Sequence, residues 1–308
     1  MKQLIVYCRT VALLGIMLCS IGSFAQQDPQ FTQYMYNTLS VNPAYAGSRG
    51  HASVTGLLRT QWVGLEGAPE TQTLTLDTPV NKKVGLGLAI INDKLGPSTE
   101  TYLDLNFSYT INTSKTRKLS FGVKGGARLL NIDFSKGNAR DGGDDFLNNV
   151  NNEILPTIGA GIYWHSEKNY IGVSIPNFLT DQNYNDIAQT VSPERLHLFV
   201  IGGVVTDLTN DIKFKPAFLV KAVSGAPIIA DISGSLLFHE NFRLGVSYRW
   251  DDSFSGHAGF QISPQLLIGY SYDYTTTELQ RFNTGSHEIT LRYDLISKIK
   301  KIKSPRFF

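Results

Sequence analysis

Cysteine is nearly missing from this sequence. The two it has, Cys8 and Cys19, both fall in the first 25 residues. Once that stretch is removed, no disulfide framework, thiol nucleophile or cysteine-based metal site is available. Charge is scarce too: 18% of the 308 residues are charged, against roughly 25% in soluble domains. The formal net charge of +2 leaves no basic excess to neutralise phosphates, which argues against a nucleic-acid binder. At 42% hydrophobic the chain is too apolar for disorder. Long hydrophobic runs are lacking, and no segment after residue 25 is long and apolar enough for a membrane-spanning helix. Glycine (28) and aromatic residues (11%), by contrast, are plentiful.

The first 25 residues read as an export signal. Lys2 and Arg9 form a positive start, Val11 to Ile21 an apolar centre too short to span a bilayer, and Ser23-Phe24-Ala25 a small-x-small cleavage site. Leu18 stands before Cys19 where a lipoprotein signal would have a small residue. Cleavage after Ala25 removes two cations and no anions. The body, residues 26–297, then stands at −5, and five cations (Lys298, Lys300, Lys301, Lys303, Arg306) crowd the end.

From His51 onward the dominant signal is period-two alternation, the mark of strands with one apolar face. Phe242, Leu244, Val246, Tyr248 and Trp250 alternate with Arg243, Gly245, Ser247, Arg249 and Asp251. Ile289, Leu291, Tyr293 and Leu295 alternate with Glu288, Thr290, Arg292 and Asp294. About fourteen such segments are predicted, near 51–61, 70–78, 83–92, 99–111, 117–131, 154–165, 168–175, 194–205, 210–221, 227–238, 241–251, 254–262, 265–275 and 286–295. Most run nine residues or more, where soluble strands peak at about five to six and a tilted membrane strand needs roughly nine to eleven. The fold class predicted is all-β: a transmembrane antiparallel barrel over 51–296, rather than a soluble sandwich with an aromatic core.

The connections test that reading. A barrel with an even number of strands keeps both ends in the periplasm, with short turns there and long loops outside. The short turns at 79–82, 112–116, 166–167, 206–209, 239–240 and 263–264 fall on one side, and the long loops 132–153, 176–193 and 276–285 on the other. Aromatic residues fall at both rims, Tyr248, Trp250, Tyr272 and Tyr274 outside and Tyr109, Trp164 and Tyr293 inside, as lipid headgroup boundaries favour. Pro216 sits inside a predicted strand, so a bulge or a broken ladder is expected there.

Residues 26–50 are not strand-like. Asp28-Pro29 reads as an N-cap with proline at the first helical position, and Phe31, Tyr34, Met35 and Leu39 follow at helical spacing before Asn42-Pro43. A short aromatic helix there suits either a plug in the barrel or a periplasmic contact arm. The stretch Gln27-Asp28-Pro29-Gln30-Phe31-Thr32-Gln33-Tyr34-Met35, with Asn42-Pro43-Ala44-Tyr45-Ala46-Gly47 after it, closely resembles the N-terminal signature of the PorP/SprF family of outer-membrane proteins of the type IX secretion system of Bacteroidota. The ending Ser304-Pro305-Arg306-Phe307-Phe308 is similar to that family's aromatic terminus.

The resemblance implies an outer-membrane barrel that serves one class of secreted cargo, often a large adhesin used in gliding, through the cargo's C-terminal sorting domain. It implies partners in the periplasmic and outer-membrane machinery, and it brings no catalytic residues. The residues expected to meet partners are Asp28, Pro29, Phe31, Tyr34, Met35, Asn42, Pro43 and Tyr45 in the N-terminal segment and Lys298, Lys300, Lys301 and Lys303 in the tail. For the tail, anionic lipid headgroups and an acidic periplasmic partner are equal readings.

No other chemistry stands out, so no enzyme activity, cofactor or metal is expected. His51, His165, His197, His239, His257 and His287 are spread without metal-ligand spacing. Ser255 and His257 share one strand face about 7 Å apart, which lumen hydrogen bonding explains more cheaply than a hydrolase. Asp141-Gly142-Gly143-Asp144-Asp145 lacks the order of a calcium loop and reads as an exposed turn. The residues expected to face the lumen carry both signs: Arg59, Lys124, Arg128, Lys213, Lys215, Arg243, Arg249 and Arg292 against Asp104, Asp231, Asp251, Glu288 and Asp294. A selective pore usually shows a ring of one sign, so the mixture favours cross-strand pairing and a filled interior. Porins need sixteen to eighteen strands for an aqueous channel, so a fourteen-stranded lumen is not expected to pass a folded cargo. The alternative function is a channel or uptake barrel for small, possibly hydrophobic, ligands.

Overall fold

The computed structural model describes residues 30–133, 149–179, 196–223 and 226–296. Its strands are β1 (Ala52–Thr60), β2 (Glu70–Pro79), β3 (Val84–Leu95), β4 (Ser98–Asn112), β5 (Lys118–Ile132), β6 (Val150–His165), β7 (Asn169–Ile175) and β8 (His197–Val204). There follow β9 (Thr206–Asp207), β10 (Ile212–Val223), β11 (Ile229–Phe238), β12 (Phe242–Arg249), β13 (Ser253–Gln261), β14 (Leu266–Thr275) and β15 (Ser286–Leu295). The two-residue β9 continues the line of β8 along β10 in the same register, so the staves number fourteen. All pair antiparallel in chain order, and the circle closes where β15 pairs with β1, Ala52 opposite Leu295.

The predicted alternation is what folds this way. Along β2 the outward Leu74 and Leu76 are exposed while Thr71, Thr73 and Thr75 between them are buried. Among the most exposed apolar side chains, Leu105 at 65% and Val246 at 68% stand on the outer wall, where lipid replaces water. Following paired residues round the circuit from Ser53 advances the register by about one residue per strand, the stagger that tilts barrel strands by roughly 35–45°. The six predicted short turns fall at one rim and the described connections 61–69 and 276–285 at the other, which also carries the short turns 96–97 and 250–252; Trp250, Tyr274, Tyr109 and Tyr293 lie exposed at those rims.

Three local expectations meet the structure differently. At Pro216 the β10 ladder is indeed interrupted: pairing with β8 stops at Ala217 opposite Gly203 and resumes at Phe214 opposite Thr206, since proline has no N–H to give. Asp251, expected in the lumen, is exposed in the β12–β13 turn with φ of 54°, because β12 ends at Arg249 and the chain reverses before Asp251 can continue the inward row. The N-terminal helix shrinks to α1 (Thr38–Val41) with a 3-10 turn at Pro43–Tyr45. Residues 31–37 run in tight turns, Tyr36 N–H to Gln33 C=O at 2.9 Å and Asn37 N–H to Tyr34 C=O at 3.1 Å. Tertiary contacts override helical spacing there.

Candidate functional site

The N-terminal segment lies inside the barrel, and the largest hydrophobic core of the described residues is the contact between the two. Phe31, Tyr34, Leu39, Val41 and Tyr45 pack with Leu57, Tyr163, Tyr170, Phe199, Ile201 and Leu219 from the inner wall. The segment starts near the long-loop end of the lumen and runs back to the short-turn end before β1 begins. At its start the Glu288 carboxylate accepts the N–H of Thr32 at 2.9 Å and of Gln33 at 2.8 Å. Further along, Ser174 Oγ donates to the Val41 carbonyl at 2.8 Å and Ser108 Oγ to the Ala46 carbonyl at 2.6 Å. At the other end the Gly47 N–H donates to Asp77, and Arg49 pairs with Asp294 at 3.2 Å.

Asn42 explains why the chain turns where it does. Its side-chain oxygen accepts from the Ala44 N–H at 2.9 Å, capping the 3-10 turn, while its amide nitrogen donates to the Ile162 carbonyl at 3.1 Å. One residue thus sets the local turn and ties it to β6. Two glycines make room for the backbone beyond Asn42. A Cβ at Gly122 would run into the Ala44 backbone, and one at Gly85 into the Ala46 carbonyl. Small residues inside the barrel are therefore seats for the segment's backbone.

The mixed charges pair across strands. Arg59 bridges Asp273 at 2.8 Å and Glu288 at 3.1 Å, Lys124 meets Asp104 at 2.5 Å, and Arg249 meets Asp231 at 3.4 Å. Thr32 joins the first of these, donating through Oγ1 to Asp273 at 2.6 Å and accepting from Arg59 at 2.8 Å. At the short-turn end the Tyr36 ring lies under both Arg243 and Arg292, 5.6 and 5.7 Å from its centroid. Burial, with the nearby Asp231 charge, pushes the Tyr34 phenol above its ordinary value, so it stays neutral. At Glu288 the segment's amides hold both carboxylate oxygens beside the Arg59 pair, so unseating the segment leaves a buried charge short of partners.

Of the residues expected to meet partners, Phe31, Tyr34, Asn42, Pro43 and Tyr45 are buried in the lumen and Met35 is partly buried against the same core. Asp28, Pro29, Lys298, Lys300, Lys301 and Lys303 lie outside the described residues, as does the Asp141–Asp145 turn. His257 turns to Ser235, with Nε2 to Oγ at 2.9 Å, rather than pairing with Ser255. Sequence reasoning missed Glu288, Arg59 and Asp273 as the anchors of the segment. The signal was present as inward charges near the outer ends of β15, β1 and β14, but nothing local ties them to Thr32 and Gln33.

Comparison with solved structures returns outer-membrane barrels. The crystal structure of the Ralstonia pickettii toluene transporter TbuX is 11% identical, with a TM-score of 0.51, over 83% of this chain and 92% of that one. The P. putida toluene transporter TodX is 9% identical, with a TM-score of 0.46, over 85% and 95% of the two chains. No curated protein sequence matches this one. The profile of the family described as "Type IX secretion system membrane protein PorP/SprF" matches residues 23–293, which take in the N-terminal signature and almost the whole barrel. An outer-membrane barrel that carries this family's sequence throughout, with the signature stretch folded into its own lumen, belongs to the PorP/SprF membrane proteins of the type IX secretion system.

Proposed function

We propose that this protein is a non-enzymatic scaffold in the outer membrane. It binds a secreted, adhesin-like surface protein through that cargo's C-terminal sorting domain and couples its export or surface attachment to the secretion and gliding machinery. The observation that supports this most is the filled lumen: residues 31–46 occupy it and lock into buried ion pairs. A barrel stoppered from within offers its two rims for binding, and loops on a rigid scaffold usually carry recognition. Cargo then passes beside this barrel rather than through it, since fourteen strands enclose less than the sixteen to eighteen of a porin. The long outer loops face the cargo, and the basic tail at Lys298, Lys300, Lys301 and Lys303 faces periplasmic machinery or lipid headgroups. The buried signature residues from Phe31 to Tyr45 serve partners indirectly, by keeping the rims rigid.

The test is a gentle detergent pull-down of the tagged protein from outer membranes, with partners identified by mass spectrometry. Recovery of a large surface protein with a C-terminal sorting domain, together with periplasmic machinery, supports the scaffold. Recovery of the barrel alone, or with a small ligand, moves the weight to the second reading, a channel or uptake barrel for small, possibly hydrophobic, ligands. That reading draws on the fold shared with a toluene transporter, and it requires the N-terminal segment to leave its seat.

A further inference from the structure

The short-turn rim of the barrel is divided by charge. The turns that follow β2 and β4 carry Lys82, Lys83, Lys115, Arg117 and Lys118, and neither 79–84 nor 112–119 contains a carboxylate. All five residues are exposed, and none of them forms an ion pair among the described residues. The remaining short turns, from β6 round to β12, hold Glu167, Asp207, Asp211 and Glu240, with cations among them: Lys168 pairs with Asp207, and Lys213 with Glu240 at 3.1 Å. Neighbouring strands lie about 4.8 Å apart, so the two basic turns stand about 10 Å apart round the rim. That is within a Debye length of about 10 Å at 0.1 M salt, so their fields add.

This basic arc borders the lipid-facing wall. On β4 the exposed row of Leu105, Phe107, Tyr109 and Ile111 runs up to the turn, and Val80 stands 57% exposed inside the β2–β3 turn. The Arg117 guanidinium lies over the ring of Trp164, 5.6 Å from its centroid. Trp164 points outward near the end of β6, between the buried Tyr163 and His165, and an indole at such a level marks the headgroup boundary.

We infer that this arc binds the phosphates of anionic phospholipids, so that the barrel holds a patch of negatively charged lipid on the periplasmic side of β2–β5. The five cations have no ion pair to give up, so a lipid phosphate displaces nothing. A zwitterionic headgroup brings an ammonium of its own that competes with the lysines, whereas an anionic one does not. An acidic protein surface matches the cations but not the exposed Val80 and Ile111, which suit acyl chains ending at the same level. The inference rests on the barrel and its place in the outer membrane, not on cargo binding.

The chain has three tryptophans, so Trp62→Phe with Trp250→Phe leaves Trp164 as the sole reporter, at the arc. The protein is reconstituted in vesicles of phosphatidylcholine and phosphatidylglycerol, and fluorescence quenching is compared for brominated forms of the two lipids at equal mole fraction. The expected result is about fivefold tighter association of phosphatidylglycerol than of phosphatidylcholine at Trp164, the ratio that corresponds to about 1 kcal/mol for one cation near the surface. Salt at 1 M shortens the Debye length to about 3 Å and brings the ratio close to unity. Lys82→Gln, Lys83→Gln, Lys115→Gln, Arg117→Gln and Lys118→Gln together do the same. These residues are exposed, and a heat-resistant band on unboiled gels checks that the barrel still forms. Because the ratio is taken within one variant, a changed Trp164 environment cancels. Trp62→Phe with Trp164→Phe moves the reporter to Trp250 at the opposite rim, beside Asp251 and Asp252, where no preference for the anionic lipid is expected. A ratio of unity at Trp164, an equal preference at Trp250, or a preference that survives the five substitutions overturns the inference; the first of these outcomes would leave the arc to an acidic protein.

Discussion

Removing the Glu288 carboxylate tests whether buried hydrogen bonds to the wall hold the N-terminal segment in the lumen. Glu288 is fully buried and accepts the N–H of Thr32 and of Gln33 while pairing with Arg59. In Glu288→Ala the two amides lose a charged acceptor, at about 1.5–3 kcal/mol each, so seating weakens by about 3–6 kcal/mol. At 1.4 kcal/mol per factor of ten, the displaced population rises by roughly 10² to 10⁴. Glu288→Gln retains one carbonyl acceptor, and about half that loss is expected. Single-channel recording in planar bilayers reads the outcome: quiet traces for the parent, frequent openings for Glu288→Ala, fewer for Glu288→Gln. Thr290→Val, the next inward position on β15, is the control, because no contact to the segment runs through its hydroxyl. If a folded Glu288→Ala barrel conducts no more than the parent, the carboxylate is not what holds the segment, and Thr32 and Gln33 are not its anchor points.

Other contacts carry tests of their own. Gly122→Val puts a side chain where the Ala44 backbone lies, so the heat-resistant band on unboiled gels weakens and the unfolding free energy from urea titration falls by about 3 kcal/mol, the upper end for overpacking. Lys124→Met leaves Asp104 buried with one partner and costs about 3–5 kcal/mol; adding Asp104→Leu recovers most of it in urea titrations, and a failure to recover would mean the pair is not coupled. Leu105→Arg, on the lipid-facing wall, lowers folding stability in vesicles by about 2–4 kcal/mol, whereas a water-facing position would tolerate it. His239 and Glu240 both hold positive φ (50° and 60°) in the tight β11–β12 turn. Glu240→Gly should therefore raise stability by about 0.5–1 kcal/mol, less a few tenths for the lost exposed pair with Lys213.

How much of this protein is legible in its sequence depends on how far apart the deciding residues lie. Strand count, strand length, the inward and outward faces and the side that carries the long loops all rest on neighbours within about ten residues. A lipid-facing strand must be apolar at every second position whatever it pairs with, so those features were written locally at Val84–Leu95 or Ser286–Leu295. Even the break at Pro216 announces itself, because proline has no N–H to give a ladder.

The plug was not legible in that way. Phe31, Tyr34, Met35 and Leu39 have helical spacing, and in isolation a helix or an arm satisfies them equally well. What decides is the reach of Glu288 to Thr32, 256 positions away, and of Ser108 and Ser174 to the carbonyls of Ala46 and Val41. Those partners meet only when the barrel has closed, and their contacts then hold residues 31–37 in tight turns rather than in one helix. Thus the amino-acid sequence by itself determined the wall, since membrane solvation acts on each strand separately. Only the tertiary structure decided what fills the wall, since burying paired charges beside backbone amides requires all the strands at once.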